Sequence, residues 1–261
     1  MSAQALNGSV RLAYEVHGEG APVLLIHGWG YGLWGWEPVV GPLASHYRVV
    51  AFDNRGVGGS DVPPGPYTVA DMAEDAVAVL DAAGLRTAHV VGTSLGGMIA
   101  QEVALDFPDR VDRLILACTT PGGPDAYAMP EQTVRLLEES QSLEPRVALR
   151  RFVANALAPG APEELVERIY AYRQAQRPDP AGWHAQGAAG ADFDASERLG
   201  AIAAPTLALH GTADGVVDPR NSELLAQRIP NARLEWFEGG GHLFFWEQPE
   251  RFVEVVTEFL G

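Results

Sequence analysis

No lysine occurs in the 261 residues. All 18 basic residues are arginines, set against 34 Asp and Glu, for a formal net charge of −16. So acidic a chain is a poor partner for nucleic acid or for an anionic membrane surface. A single cysteine, Cys118, rules out an internal disulfide and makes a cytoplasmic location the expectation. Cys118 closes the apolar run Leu114-Ile115-Leu116-Ala117 and reads as a small buried residue, not a nucleophile. No apolar stretch approaches the roughly 20 residues that span a bilayer. The opening segment, Met1 to Gly8, has neither the basic patch nor the apolar core of an export signal. Internal repeats and low-complexity tracts are also missing. What remains is an ordinary globular composition, 47% hydrophobic and 20% charged, with length enough for one domain and an insertion.

The chain alternates short apolar runs with helical patterns. Ser9–Val16 alternates polar and apolar residues, as a half-buried strand does. Pro22–Ile26, Arg48–Phe52, the apolar stretch from Ala88 to the turn at Gly92, Val111–Ala117, Pro205–Leu209 and Leu234–Phe237 read as further strands, several of them uniformly apolar, as in strands covered on both faces. Helices are expected over Trp36–Ser45, from a cap at Thr68 or Asp71 to about Ala83, after Ser94, over Pro219–Ile229 and over Pro249–Leu260. Strands alternating with helices predict an α/β fold: a mostly parallel sheet of about eight strands with helices on both faces.

Between Pro121 and Ala191 no strand-like run appears. Helical segments there begin near Glu131, Pro145, Pro162 and Pro180. We read residues 1–120 and 192–261 as a core domain and 121–191 as an all-helical insertion. Such an insertion acts either as a lid over a site or as a second structural unit with no part in binding.

Gly92-Thr93-Ser94-Leu95-Gly96 joins a predicted strand to a predicted helix. A G-x-S-x-G bend of this kind exposes its serine hydroxyl above the sheet, although the pattern alone also fits a Gly-rich turn with a surface serine. Ligands of open parallel sheets bind beyond the carboxyl ends of the strands, and there the chain also places Asp214 and His242. Each has a bland reading, Asp214 as an Asx turn and Gly-Gly-Gly-His as a plain loop. In order, though, Ser94, Asp214 and His242 read as nucleophile, orienting acid and general base. The oxyanion donors expected are the backbone N–H groups of Leu95 and Trp29, with Gly28 allowing close approach. His27 is expected to brace that loop by hydrogen bonds.

These motifs resemble the α/β-hydrolase fold family over nearly the whole chain. The matching pieces are His27-Gly28 with Trp29, Asp53-x-Arg55-Gly56-x-Gly58-x-Ser60, Gly92–Gly97, Gly211-x-x-Asp214-x-Val216, Gly241-His242 and Glu247-x-Pro249-Glu250-x-Phe252. The resemblance implies a serine hydrolase acting on a small-molecule ester or lactone without metal or cofactor, similar to small bacterial carboxylesterases and 3-oxoadipate enol-lactonases. Ser94 stands where dehalogenases and epoxide hydrolases of the family carry aspartate, and Thr93 departs from the asparagine of carbon–carbon bond hydrolases. Carbon–carbon bond hydrolysis, a cofactor-free perhydrolase or haloperoxidase-like activity, and a non-catalytic ligand receptor remain the alternatives. Tyr31, Trp34, Met98, Phe152 and Trp183 are the expected pocket residues, with Leu33 and Phe193 beside them. Trp36, Phe244, Phe245 and Trp246 are expected in the core. Arg150, Arg151, Arg173 and Arg177 in the insertion either hold a substrate carboxylate or face solvent.

Overall fold

The computed structural model describes residues 3–261. Met1 and Ser2, part of the segment read for an export signal, lie outside the described residues. The strands are β1 (Ala3–Asn7), β2 (Val10–His17), β3 (Pro22–Ile26), β4 (Arg48–Phe52), β5 (Ala88–Thr93), β6 (Val111–Ala117), β7 (Thr206–Gly211) and β8 (Arg233–Phe237). The helices are α1 (Glu37–Ala44), α2 (Val69–Ala82), α3 (Leu95–Asp106), α4 (Glu131–Ser140), α5 (Pro145–Asn155), α6 (Glu163–Ala175), α7 (Pro180–Ala191), α8 (Arg220–Arg228), α9 (Phe244–Glu247) and α10 (Pro249–Leu260). The strands form one sheet in the order β1-β2-β4-β3-β5-β6-β7-β8. Only β1 and β2 pair antiparallel, to each other and to β4. This is the α/β-hydrolase fold expected. The added strand β1 is not apparent from its sequence, Ala-Gln-Ala-Leu-Asn, which is too weakly patterned to announce an edge strand.

Successive strand residues face opposite layers. Leu24, Ile26, Val50, Phe52, Val90, Leu114 and Leu116 pack with α2, α3 and α8. Val23, Leu25, Val49, Ala51, Val91, Ile115, Leu207 and Leu209 pack with α1 and α10. Uniformly apolar strands are the direct consequence of having a helical layer on each side. Thr68 and Asp71 both cap α2: the Thr68 side chain accepts from Asp71 N–H, and the Asp71 carboxylate accepts from Thr68 N–H.

Register aligns the site. Ile26, Gly92, Leu116 and Ala208 lie side by side across β3, β5, β6 and β7. Two residues further along each strand come Gly28, Ser94, Cys118 and His210. The ladder reaches that row through Ser94 N–H to Ala117 O, 2.9 Å, and Cys118 N–H to Leu209 O, 2.8 Å. The four helices α4–α7 occupy the connection from β6 to β7. No helix among the described residues is long and apolar enough to cross a membrane.

Candidate active site

Ser94 sits between the end of β5 and the start of α3 with φ 55 and ψ −121, a conformation costly for a side-chain-bearing residue. The flanking glycines make the bend possible. A Cβ on Gly92 would run into the Gly96 carbonyl, and one on Gly96 into the Ile26 carbonyl. The bend therefore needs glycine on both sides for lack of space.

His242 and Asp214 arrive from the far strands. The turn after β7 carries Asp214, whose Oδ1 accepts the N–H groups of Val216 (2.7 Å) and Val217 (3.0 Å). Its Oδ2 accepts from His242 Nδ1 at 2.7 Å and also from His210 Nε2 at 2.9 Å. Burial alone would raise the Asp214 carboxyl, but the two histidines reverse this and hold it well below the carboxylate range. Burial likewise opposes protonation of His242. The adjacent Asp214 carboxylate outweighs it and lifts His242 well above the ordinary histidine value.

Ser94 and His242 line one cavity of about 590 Å³. No hydrogen bond joins Ser94 Oγ to His242 among the described residues. Such contacts commonly tighten only when a substrate is bound. Cys118 lines the same cavity, and its thiol is raised by burial and kept protonated. It is buried, as its sequence context predicts, but it also belongs to the cavity wall.

The N–H groups of Leu95 and Trp29 are both without an acceptor among the described residues. Leu95 opens α3, where no intrahelical partner exists, and Trp29 lies in the loop after β3. Gly28 brings that loop close, since a Cβ there would stand 2.9 Å from Ser94 Cβ. His27 braces the loop by hydrogen bonds, as expected, and by packing: its carbonyl accepts from Asn54 Nδ2 at 2.9 Å. Its Nδ1 accepts only the neighbouring Gly28 N–H, at 2.7 Å, and its buried Nε2 has no partner. The ring stacks on Tyr31 at 4.7 Å and meets Trp36 and Phe245 edge-on. Burial drives its pKa down to about 3, so it is neutral.

Tyr31, Met98, Phe152, Trp183 and Phe193 line the cavity as expected. Trp34 does not, and neither does Leu33. Trp34 lies in the 3-10 turn Leu33–Trp36 and stacks at 5.4 Å on Tyr172 of α6, so it joins α6 to the core instead of facing the cavity. Trp36, Phe244, Phe245 and Trp246 are core residues, with Phe245 also reaching the cavity wall. The helices over the site are tied down at specific points. Trp29 Nε1–H donates to Trp183 O at 2.7 Å, and the two rings stack at 4.2 Å. Gln186 of α7 accepts from Gly30 N–H and donates to Arg55 O. Asn221 of α8 holds the backbone of Tyr127 by two 2.9 Å bonds.

Sequence reading missed His210 as a site residue. It is fully buried, with Nδ1 2.6 Å from Ser222 Oγ and Nε2 also 3.2 Å from Val217 O. The only signal was its place at a strand end, four residues before Asp214.

The sequence model of the alpha/beta hydrolase fold family matches residues 21–249. A putative carbamate hydrolase, RutD, of Azorhizobium caulinodans is 32% identical, across 98% of this chain and 97% of its own length. A pimeloyl-[acyl-carrier protein] methyl ester esterase of Aeromonas hydrophila is 28% identical, across 96% of this chain and 99% of its own. Among solved structures, the enol-lactonase of Burkholderia xenovorans superposes with a TM-score of 0.87 at 26% identity, covering 99% of each chain.

Proposed function

Because the chain belongs to the α/β-hydrolase fold family and is a hydrolase, we propose that it is a serine hydrolase of small carboxylic esters or lactones, working through an acyl-enzyme on Ser94. One observation carries the reading. Ser94, on its strained bend, opens into the same cavity as a His242 whose other ring nitrogen is held by Asp214. The similar proteins, a putative carbamate hydrolase, a methyl ester esterase and an enol-lactonase, support the same reading.

Ser94 Oγ attacks the substrate carbonyl while His242 Nε2 takes its proton. Asp214 keeps Nδ1 protonated and steadies the resulting imidazolium. The oxyanion is met by the N–H groups of Leu95 and Trp29. Collapse expels the alcohol, which takes the proton from His242; in a lactone this oxygen stays attached at the far end of the acyl chain. Water, deprotonated by His242, then releases the acid and restores Ser94. Residues 121–191 serve as a lid over the reacting atoms, with Phe152, Arg173 and Trp183 among its residues in the cavity wall.

The test is a panel of p-nitrophenyl esters, lactones and carbamates with the native protein and Ser94→Ala. The variant should melt like the native protein while losing roughly a thousandfold or more of the hydrolysis. Full turnover by Ser94→Ala overturns the mechanism.

A further inference from the structure

Four arginines of residues 121–191 are indistinguishable by sequence, and their surroundings separate them. Arg150 is bound between Glu163 and Glu167. Arg151 pairs with Glu139 at 2.8 Å, outside the cavity. Arg177 is exposed. Arg173, in the last turn of α6, alone lines the cavity. It has no ion pair and no hydrogen bond among the described residues, and its Nε is buried without an acceptor. Its guanidinium lies 4.5 Å from the centroid of the Tyr31 ring and beside Gly30, on the loop that also carries Trp29.

A helix C-terminus and an aromatic face both favour a cation, and together they explain how Arg173 is tolerated. They do not explain why its donors go unused. In a chain with 34 carboxylates most arginines hold one. A buried donor left unpaired is destabilising unless something else accepts from it. Of the other polar side chains of the cavity wall, His27 Nε2 and Thr93 Oγ1 are also without a partner, but both groups are neutral, and the charged or amide-bearing ones are committed. Asp218 pairs with Arg220, and the amides of Gln186 and Asn221 each bond through both ends. The remaining wall is largely Trp29, Tyr31, Met98, Phe152, Trp183 and Phe193, a setting in which an unpaired guanidinium attracts an anion strongly.

We propose that Arg173 recognises a carboxylate on the substrate, so that the preferred substrates are esters or lactones bearing a free carboxylate near the scissile carbonyl. The planar fork fits a carboxylate through two parallel N–H donors. Its place beside Gly30 sets that anion at the Trp29 end of the cavity. This inference rests on the serine hydrolase reading and deepens it.

The experiment compares kcat/KM within matched pairs: p-nitrophenyl hemiglutarate against p-nitrophenyl valerate, for a carboxylate on the acyl side, and 4-acetoxybenzoate against phenyl acetate, for one on the leaving group. The native protein should favour the carboxylated member of at least one pair by roughly ten- to a hundredfold, chiefly through KM. Arg173→Met should bring that ratio close to one, Arg173→Lys should retain part of it, and Arg151→Met should leave it at the native level. No preference in the native protein, or an undiminished preference in Arg173→Met, overturns the proposal. If instead no neutral ester is hydrolysed and a fluorophosphonate does not label Ser94, it is the serine hydrolase reading that fails.

Discussion

His210 and His242 donate to the same oxygen of one carboxylate, Asp214 Oδ2, at 2.9 and 2.7 Å. The Asp214 carboxylate, the proposed orienting acid, is thus held from behind as well as from the cavity. His210 Nε2 faces two acceptors, Asp214 and Val217 O, so it carries the proton, and Ser222 Oγ lies 2.6 Å from Nδ1. A second N–H on Oδ2 withdraws charge that would otherwise raise the basicity of His242. His210→Phe should therefore move the ascending limb of kcat/KM to higher pH and lower the neutral-pH rate by roughly tenfold. Ser222→Ala, which keeps the imidazole, should shift the limb less. An unmoved limb in both variants would leave His210 with packing alone.

Asp214→Asn keeps an oxygen for the Val216 and Val217 N–H groups but no longer fixes the His242 tautomer. The fold should persist, and kcat at neutral pH should fall by roughly 10³–10⁴. Steady-state rates with one ester, alongside a melting curve, decide this.

The pH profile depends on the sign of the His242 shift. His242 acts as a base only when neutral, and Asp214 raises its pKa in spite of burial. The ascending limb of kcat/KM should therefore have its midpoint above the ordinary histidine value of about 6.5. Asp214, held low, stays ionised throughout that range. A midpoint at or below the ordinary value contradicts the geometry.

His27 makes the opposite prediction, for stability. Its folded pKa of about 3 lies below its unfolded value, so the unfolded chain binds the extra proton as pH falls below neutrality. Stability should drop by about 1.4 kcal/mol per pH unit below pH ~6.5 from this group. His242, raised in the folded state, adds no slope there, because below its unfolded value it is protonated in both states. Urea midpoints of the native protein and of His27→Phe between pH 6.5 and 5 should diverge, with the variant the flatter.

The Arg55–Asp75 ion pair, 2.6 Å with Asp75 fully buried, joins the loop after β4 to α2, and Asp75 also accepts from Asn7 of β1. Asp75→Ala leaves a mostly buried guanidinium unpaired and should cost about 3–5 kcal/mol, read as a lowered urea midpoint with unchanged slope.

Much of this site is visible in the sequence because strand-end residues are ordered by topology. Apolar runs locate the strands, and the loops that leave their carboxyl ends lie at one sheet edge. That logic brought Ser94, Asp214 and His242 together. It failed where side-chain direction decides. Trp34 and Tyr31 are three residues apart, yet only Tyr31 faces the cavity, because α6 presents Tyr172 for Trp34 to stack on. Arg173 differs from Arg150 only in which helix face meets a carboxylate, and that depends on how α5 and α6 pack. The role of His210 needs the turn after β7 to fold back Asp214 onto it. Strand β1 has too little apolar alternation to stand out, and β2 gives it its place.

The proposed reaction passes through a covalent intermediate on Ser94. Incubation with a fluorophosphonate, or quenching during turnover of a p-nitrophenyl ester, followed by intact-mass and peptide mass spectrometry, tests it directly. One adduct per chain is expected, located on Ser94 and absent from Ser94→Ala. Ester turnover with no adduct, or with the adduct on another residue, would contradict it.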